Sequence, residues 1–97
     1  MSTSDENLQA LNLVQALLGS VTTNLRAAAI DCTARGVTLV FVLEQDRAES
    51  RDEIADVVFE FEALQTAPVP VETVVLVDRR DLAALGLPSR LVFARKE

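Results

Sequence analysis

Apolar positions recur at two spacings along this chain, and the switches between them mark out its elements. The sharpest helical pattern is residues 50–66, SRDEIADVVFEFEALQT. At about 100° per residue, Ile54, Val57, Val58, Phe61 and Leu64 share one stripe. Asp52, Asp56, Glu60 and Glu53 fill the opposite face and one flank. Ser50 followed by Glu53 has capping-box spacing, which sets the predicted start of the helix. Phe59 breaks the pattern, projecting between Asp52, Ala55, Asp56 and Ala63 on the side that should be wet. An aromatic ring set among acids suits a protein-binding surface; the plainer reading is that a loop covers it or that it stands exposed.

The N-terminal helix is expected over residues 5–18, capped by Ser4, with residues 1–4 loose. Leu11, Val14, Leu17 and Leu18, with Ala10 and Leu13, cover one broad arc; Gln9, Asn12 and Gln15 lie opposite, and Gly19 stops the helix. Strands are predicted at Leu25–Cys32 and Val37–Glu44, joined as a hairpin by Ala34-Arg35-Gly36. The acidic helix must end before Pro68. A third strand follows at Val71–Asp78, then a connection at Asp78–Leu87 with one helical turn, then a last strand at Arg90–Arg95.

This order, αββαββ, implies an α+β two-layer sandwich: one domain over residues 1–97, a four-stranded antiparallel sheet and both helices on one face. Strand alternation then leaves a second apolar surface. Val37, Leu39, Phe41 and Leu43 point one way, but Val40 and Val42 point the other, and Val74 and Leu76 likewise oppose Thr73, Val75 and Val77. The outer sheet face is therefore either an interface or a consequence of β propensity.

Charge narrows the partners. Fifteen acids against nine bases give a net charge of −6 in 97 residues. That disfavours nucleic acid and anionic membrane, which need phosphate-neutralising Lys and Arg. It favours a basic protein partner, although solubility alone explains many acidic chains. Cys32 is the only cysteine, so no internal disulfide forms. MSTSDENLQ has no secretory pattern, and no apolar run approaches a membrane span. A cytoplasmic location is expected.

Catalytic chemistry is not expected. The chain has no His, Tyr or Trp, and no metal-ligand, phosphate-loop or cofactor spacing. The i,i+4 acid pairs Asp52/Asp56 and Asp56/Glu60 are the only acid–base candidates, and on a helix surface they read as solvated charges. Cys32 sits mid-strand without a base, as a small core hydrophobe. What remains is a partner surface: Asp46, Glu49, Asp52, Glu53, Asp56 and Glu60, with Phe59 among them.

Three stretches carry a family likeness: LLGSVTTNLRAAAID (Leu17 to Asp31), ESRDEIADVVFEFEAL and the terminal RLVFARKE. Together they resemble small bacterial immunity proteins of the contact-dependent growth inhibition type. The LLG-x-V-x-x-N-x-R opening and the ARKE-like tail are the more specific parts. The alanine-rich first strand and the DRRDLAALGLP connection depart from the pattern. The resemblance implies a non-catalytic α+β inhibitor, without cofactor, that binds a cognate toxin in the producing cell. Many such toxins are nucleases with basic clefts, which an acidic surface would complement. The alternative is a non-catalytic structural or regulatory homodimer associating through the outer sheet face around Val40 and Val42.

Overall fold

A computed structural model describes residues 3–20, 22–88 and 90–97. The elements are α1 (Thr3–Leu17), β1 (Leu25–Thr33), β2 (Gly36–Leu43), α2 (Ala48–Ala63), β3 (Val71–Val77), a 3-10 turn at Leu82–Ala84 and β4 (Arg90–Ala94). The expected αββαββ order and α+β class hold. Of the segment expected to be loose, Met1 and Ser2 lie outside the described residues. Thr3 and Ser4 already belong to α1, so Ser4 does not cap it.

The sheet runs β3-β2-β1-β4. β1 pairs antiparallel with both β2 and β4, as expected. The β2–β3 pair departs from a wholly antiparallel sheet: it is parallel, in register from Val37↔Val71 to Leu43↔Val77. Element lengths explain the difference. An eight-residue strand is about 26 Å long and a sixteen-residue helix about 24 Å. The helix therefore carries the chain back to the end where β2 began, and β3 starts beside it.

The hairpin expected around Ala34-Arg35-Gly36 closes on the pair Thr33↔Gly36. Gly36 has φ +144°, and a Cβ there would stand 2.4 Å from the Pro70 carbonyl oxygen. That same oxygen accepts from Val37 N at 2.9 Å and opens the parallel pairing. Gly36→Ala must therefore strain the backbone or push β3 away. It should cost about 2 kcal/mol or more in a urea unfolding experiment; a loss within ~0.5 kcal/mol, typical of neutral surface sites, would contradict this geometry.

One face of the sheet supports both helices. Leu13, Ala16 and Leu17 of α1, and Ile54, Val57 and Phe61 of α2, cluster with Ala28 and Ile30 of β1 and Leu39, Phe41 and Leu43 of β2. In α2 the predicted stripe is correct: Ile54, Val57 and Phe61 are buried, while Val58 and Leu64 are half-buried. In α1 it is not. Leu11, Val14 and Leu18 are exposed, and Gln9, expected on the wet side, is buried. Gln9 exchanges amide hydrogen bonds with Gln65 at 2.7 and 2.9 Å, which turns α1 so that Ala10, Leu13, Ala16 and Leu17 face inward.

The other face is not open either. Ala27, Ala29, Val40 and Val42 are 0–7% exposed, yet stand outside the helix-facing cluster. Because β3 and β4 run parallel on opposite edges, their connection must cross β2 and β1. A right-handed crossover moving opposite to the β2–α2–β3 step passes over the face the helices leave free. Leu82, Leu85 and Leu87 of that connection are half-buried. Val40 and Val42, on which a sheet-face homodimer was expected to rest, are thus internal, whereas Val74 on the edge strand β3 stays 37% exposed.

A polar staple ties the strand ends together. The β1–β2 register shifts between Leu25 and Ala27, and such a bulge re-aims the side chain at Arg26. Arg26 is 3% exposed. Its guanidinium donates to both Glu97 carboxylate oxygens, at 2.7 and 2.5 Å, and to the Asp78 carbonyl at 2.8 Å. Arg95 adds bonds to Glu97 and Glu44. The Arg26 hydrogen bonds hold the Glu97 carboxyl down at about 2, and Arg80 likewise holds Asp78 at about 2. A depressed carboxylate contributes stability that is present above its unfolded-state pKa, near 4.5 for Glu97 and 3.8 for Asp78. That contribution is lost as pH falls through about 2. Urea midpoints should therefore drop between roughly pH 4.5 and 2, and Glu97→Gln should flatten the drop. An equally steep profile in Glu97→Gln would contradict the staple.

Candidate functional site

The acids expected to bind a partner sit on or beside α2, whose local sequence fixes where each one points. The helix begins at Ala48 with Arg47 in the N-cap position and no side-chain cap. Ser50 is therefore not the cap that its spacing with Glu53 suggested. It lies in the first turn, 5% exposed, and its Oγ accepts a 2.7 Å hydrogen bond from Asn24. Asn24 also bonds both backbone groups of Gln45, at 2.9 Å each. This one side chain fixes the turn from β2 into α2 and, with it, the helix register.

With the register set, Glu49, Asp52, Asp56, Phe59 and Glu60 are all exposed on the side of α2 turned away from the sheet. Phe59 is 71% exposed, so no loop covers it. No described residue pairs with Asp52, Asp56 or Glu60, and these carboxylates stand one helical turn apart along one face. Two of the expected residues differ from this group. Glu53 is half-buried beside Ser20 and Thr22, at the edge of a small crevice under the helix. Asp46 lies before the helix and accepts from Arg51 Nε at 2.7 Å, a bond that lowers its pKa. Its charge is largely answered locally.

The result is an exposed ring flanked by unpaired carboxylates, on a rigid element. Such a surface can steer a basic partner and then anchor it. It offers little else chemically. Among the described residues no group of His, Cys, Asp and Glu could hold a metal ion. Cys32 lines a cleft of about 360 Å³ with Glu6, Asp31 and Arg90, but burial raises its thiol pKa, the opposite of an activated nucleophile. Among the described residues, no helix is long and apolar enough to cross a membrane.

Pattern reading missed a second exposed surface, on α1. Leu8, Leu11, Val14 and Leu18 are 54%, 64%, 42% and 73% exposed. The spacing of Leu11, Val14 and Leu18 predicts a place in the core, which their exposure contradicts, and Leu8 is not singled out by it. The two motif residues of the N-x-R signature have also acquired a role: Asn24 and Arg26 are both buried staples, not contact residues.

Comparison with known proteins agrees in kind with the likeness drawn from the sequence. A family model described as MafI2 immunity protein matches residues 7–97. No curated protein matches the chain.

Proposed function

Because the chain belongs to the MafI2 immunity protein family, and so is a bacterial toxin immunity protein rather than an enzyme, we propose that it neutralises its cognate toxin through the outward face of α2. In this reading Glu49, Asp52, Asp56 and Glu60, with lesser contributions from Glu53 and Asp46, attract a basic toxin surface. Phe59 fills a pocket on that surface. The toxin is a nuclease-like domain with a basic cleft, delivered by cell contact, and inhibition takes place in the cytoplasm of the producing cell.

The observation that carries the reading is Phe59, 71% exposed among unpaired carboxylates. A single exposed Leu or Val is ordinary on any protein, but a Phe held clear of the surface, on a helix whose other large apolar groups are buried or half-buried, loses nothing by leaving water. Aromatic side chains in that setting are the usual anchors of tight interfaces.

Calorimetric titration of the purified chain against the cognate toxin domain tests this. Binding should be 1:1 at the surface of α2 and should weaken with added salt, because exposed charge pairs are screened over about 8–10 Å at physiological ionic strength. Tight binding that is indifferent to salt would place the contact elsewhere on the molecule.

A further inference from the structure

The sheet ends on one side at β3, and that edge is bare. Pro70 O and Asp78 N both bond β2, through Val37 N at 2.9 Å and Leu43 O at 3.0 Å. Backbone groups alternate in direction along a strand, so the even-numbered residues of β3 face β2. Val71, Thr73, Val75 and Val77 therefore turn their N–H and C=O groups outward, where no described strand pairs with them. β4, at the other edge, is blunted: it is five residues long, its pairing shifts register, and Arg90 begins it. β3 has none of these protections. It runs seven residues in unbroken register without Lys or Arg, and Val74 and Val77 are 37% and 42% exposed. An edge of that kind takes another strand.

We propose that it takes the β3 of a second copy of the same chain, antiparallel about a two-fold axis through Val74, so that the two sheets become one. The register follows from the alternation. Only odd-numbered residues carry outward groups, so Val71 pairs with the partner's Val77 and Thr73 with its Val75, each pair exchanging two hydrogen bonds. Val74 then meets its own counterpart on the axis, as an isologous contact requires.

The helix above the edge selects that occupant, because its flank is complementary to itself. Glu62 borders a hollow with Pro68, Val69 and Pro70, which lead into β3. Glu53, half a turn round the helix, borders Ser20 and Thr22 beside α1. The flank toward the edge is therefore Arg51, Ala55, Val58 and Glu62, which fall within about 60° of one another. Their spacings of four, three and four residues are those of a helix–helix seam. A crossover helix lies over the strands it joins, so pairing the β3 edges brings the two α2 axes to about 10 Å, a helix packing distance.

The helices run antiparallel there, with Arg51 beside the partner's Glu62 at each end and Ala55 beside its Val58 between them. Ala55 and Val58 lie at the middle of α2, and Val74 at the middle of β3, so one axis serves both contacts. Glu62 has no side-chain partner among the described residues, and Arg51 is engaged through Nε alone, by Asp46. At each end of the paired strands Glu72 lies about 10 Å along from the partner's Arg79, a gap the two side chains span. A uniformly basic toxin strand would suit Glu62 and Glu72 but would meet Arg51 and Arg79 as like charges. Asp52, Asp56, Phe59 and Glu60 lie outside the seam, so the dimer carries two toxin-binding faces.

Sedimentation of the full-length chain from roughly 1 to 100 µM provides the test, since a self-associating protein shows concentration-dependent mass. The expected result is a dimer. Thr73→Pro removes an outward N–H from each copy without touching a bond to β2, and should weaken the dimer about thirty-fold. Arg51→Glu and Glu62→Arg should each weaken it about tenfold by setting like charges together. The two combined in one chain should restore it, as should mixing the two single variants. Circular dichroism reports whether each variant folds, and if Thr73→Pro does not, the charge exchange decides. A wild type that stays monomeric throughout would overturn the proposal and leave the edge to a strand of another protein. A dimer indifferent to Thr73→Pro and to both single reversals would also overturn it. Neither result would touch the toxin-binding role of α2, which is read from a separate titration.

Discussion

Phe61→Ala is expected to remove about 3–5 kcal/mol of folding free energy, the largest single loss from any residue of α2. The ring is fully buried, in one cluster with Phe41, Leu13 and Leu39. Truncation forfeits the transfer energy of the ring and leaves a void between the helix layer and the sheet. The surrounding groups cannot readily collapse into that void, because α2 is anchored at both ends: Asn24 holds Ser50 at its start, and Gln65 bonds Gln9 and the Phe61 carbonyl at its finish. A urea titration should show a lowered midpoint with an unchanged m-value, the signature of lost stability without a changed denatured state. Phe59→Ala, two residues away, should shift the midpoint by no more than ~0.5 kcal/mol. A loss below about 1 kcal/mol for Phe61 would mean that the helix register is wrong.

The second large effect falls on binding. Asp52→Lys, Asp56→Lys and Glu60→Lys together reverse an exposed face without touching the core. Association with a basic toxin should slow toward the unsteered range of about 10⁵–10⁶ M⁻¹s⁻¹, and the difference from wild type should shrink as salt rises. Phe59→Ala should behave otherwise. An anchoring aromatic contributes chiefly after encounter, so its loss should cost about 2 kcal/mol or more, appear as faster dissociation and depend little on salt. Stopped-flow or surface-capture kinetics separate the two. If the charge reversal and the Phe59 truncation both leave the rates unchanged, the outward face of α2 does not bind the toxin.

Which parts of the structure were legible in the sequence follows from how narrow each pattern is. In α2 the apolar residues occupy one stripe and acids most of the rest, so only one rotation buries Phe61 and exposes Phe59. In α1 leucines occur all round the helix, and spacing alone cannot choose a side. The choice is made by Gln9, which finds a partner in Gln65 fifty-six residues away. The parallel β2–β3 pair was hidden for a similar reason. Strand content says nothing about direction, which here depends on a helix matching a strand in length. The covered outer face was missed because the segment containing Gly86 and Pro88 has no periodicity, although it crosses the sheet. Asn24 and Arg26 did leave a signal, as polar residues on either side of Leu25 at the start of an apolar run. Their partners, Ser50, Gln45, Asp78 and Glu97, are too distant in sequence to infer.

The central claim, that the chain protects by binding its toxin through the outward face of α2, is tested most directly in growing cells. Bacteria induced to express the cognate toxin domain inside the cytoplasm should stop growing, and co-expressed wild-type protein should restore growth. A variant carrying Phe59→Ala with the three lysine substitutions should accumulate to the same level, fold normally and fail to protect. Full protection by that variant would contradict the account.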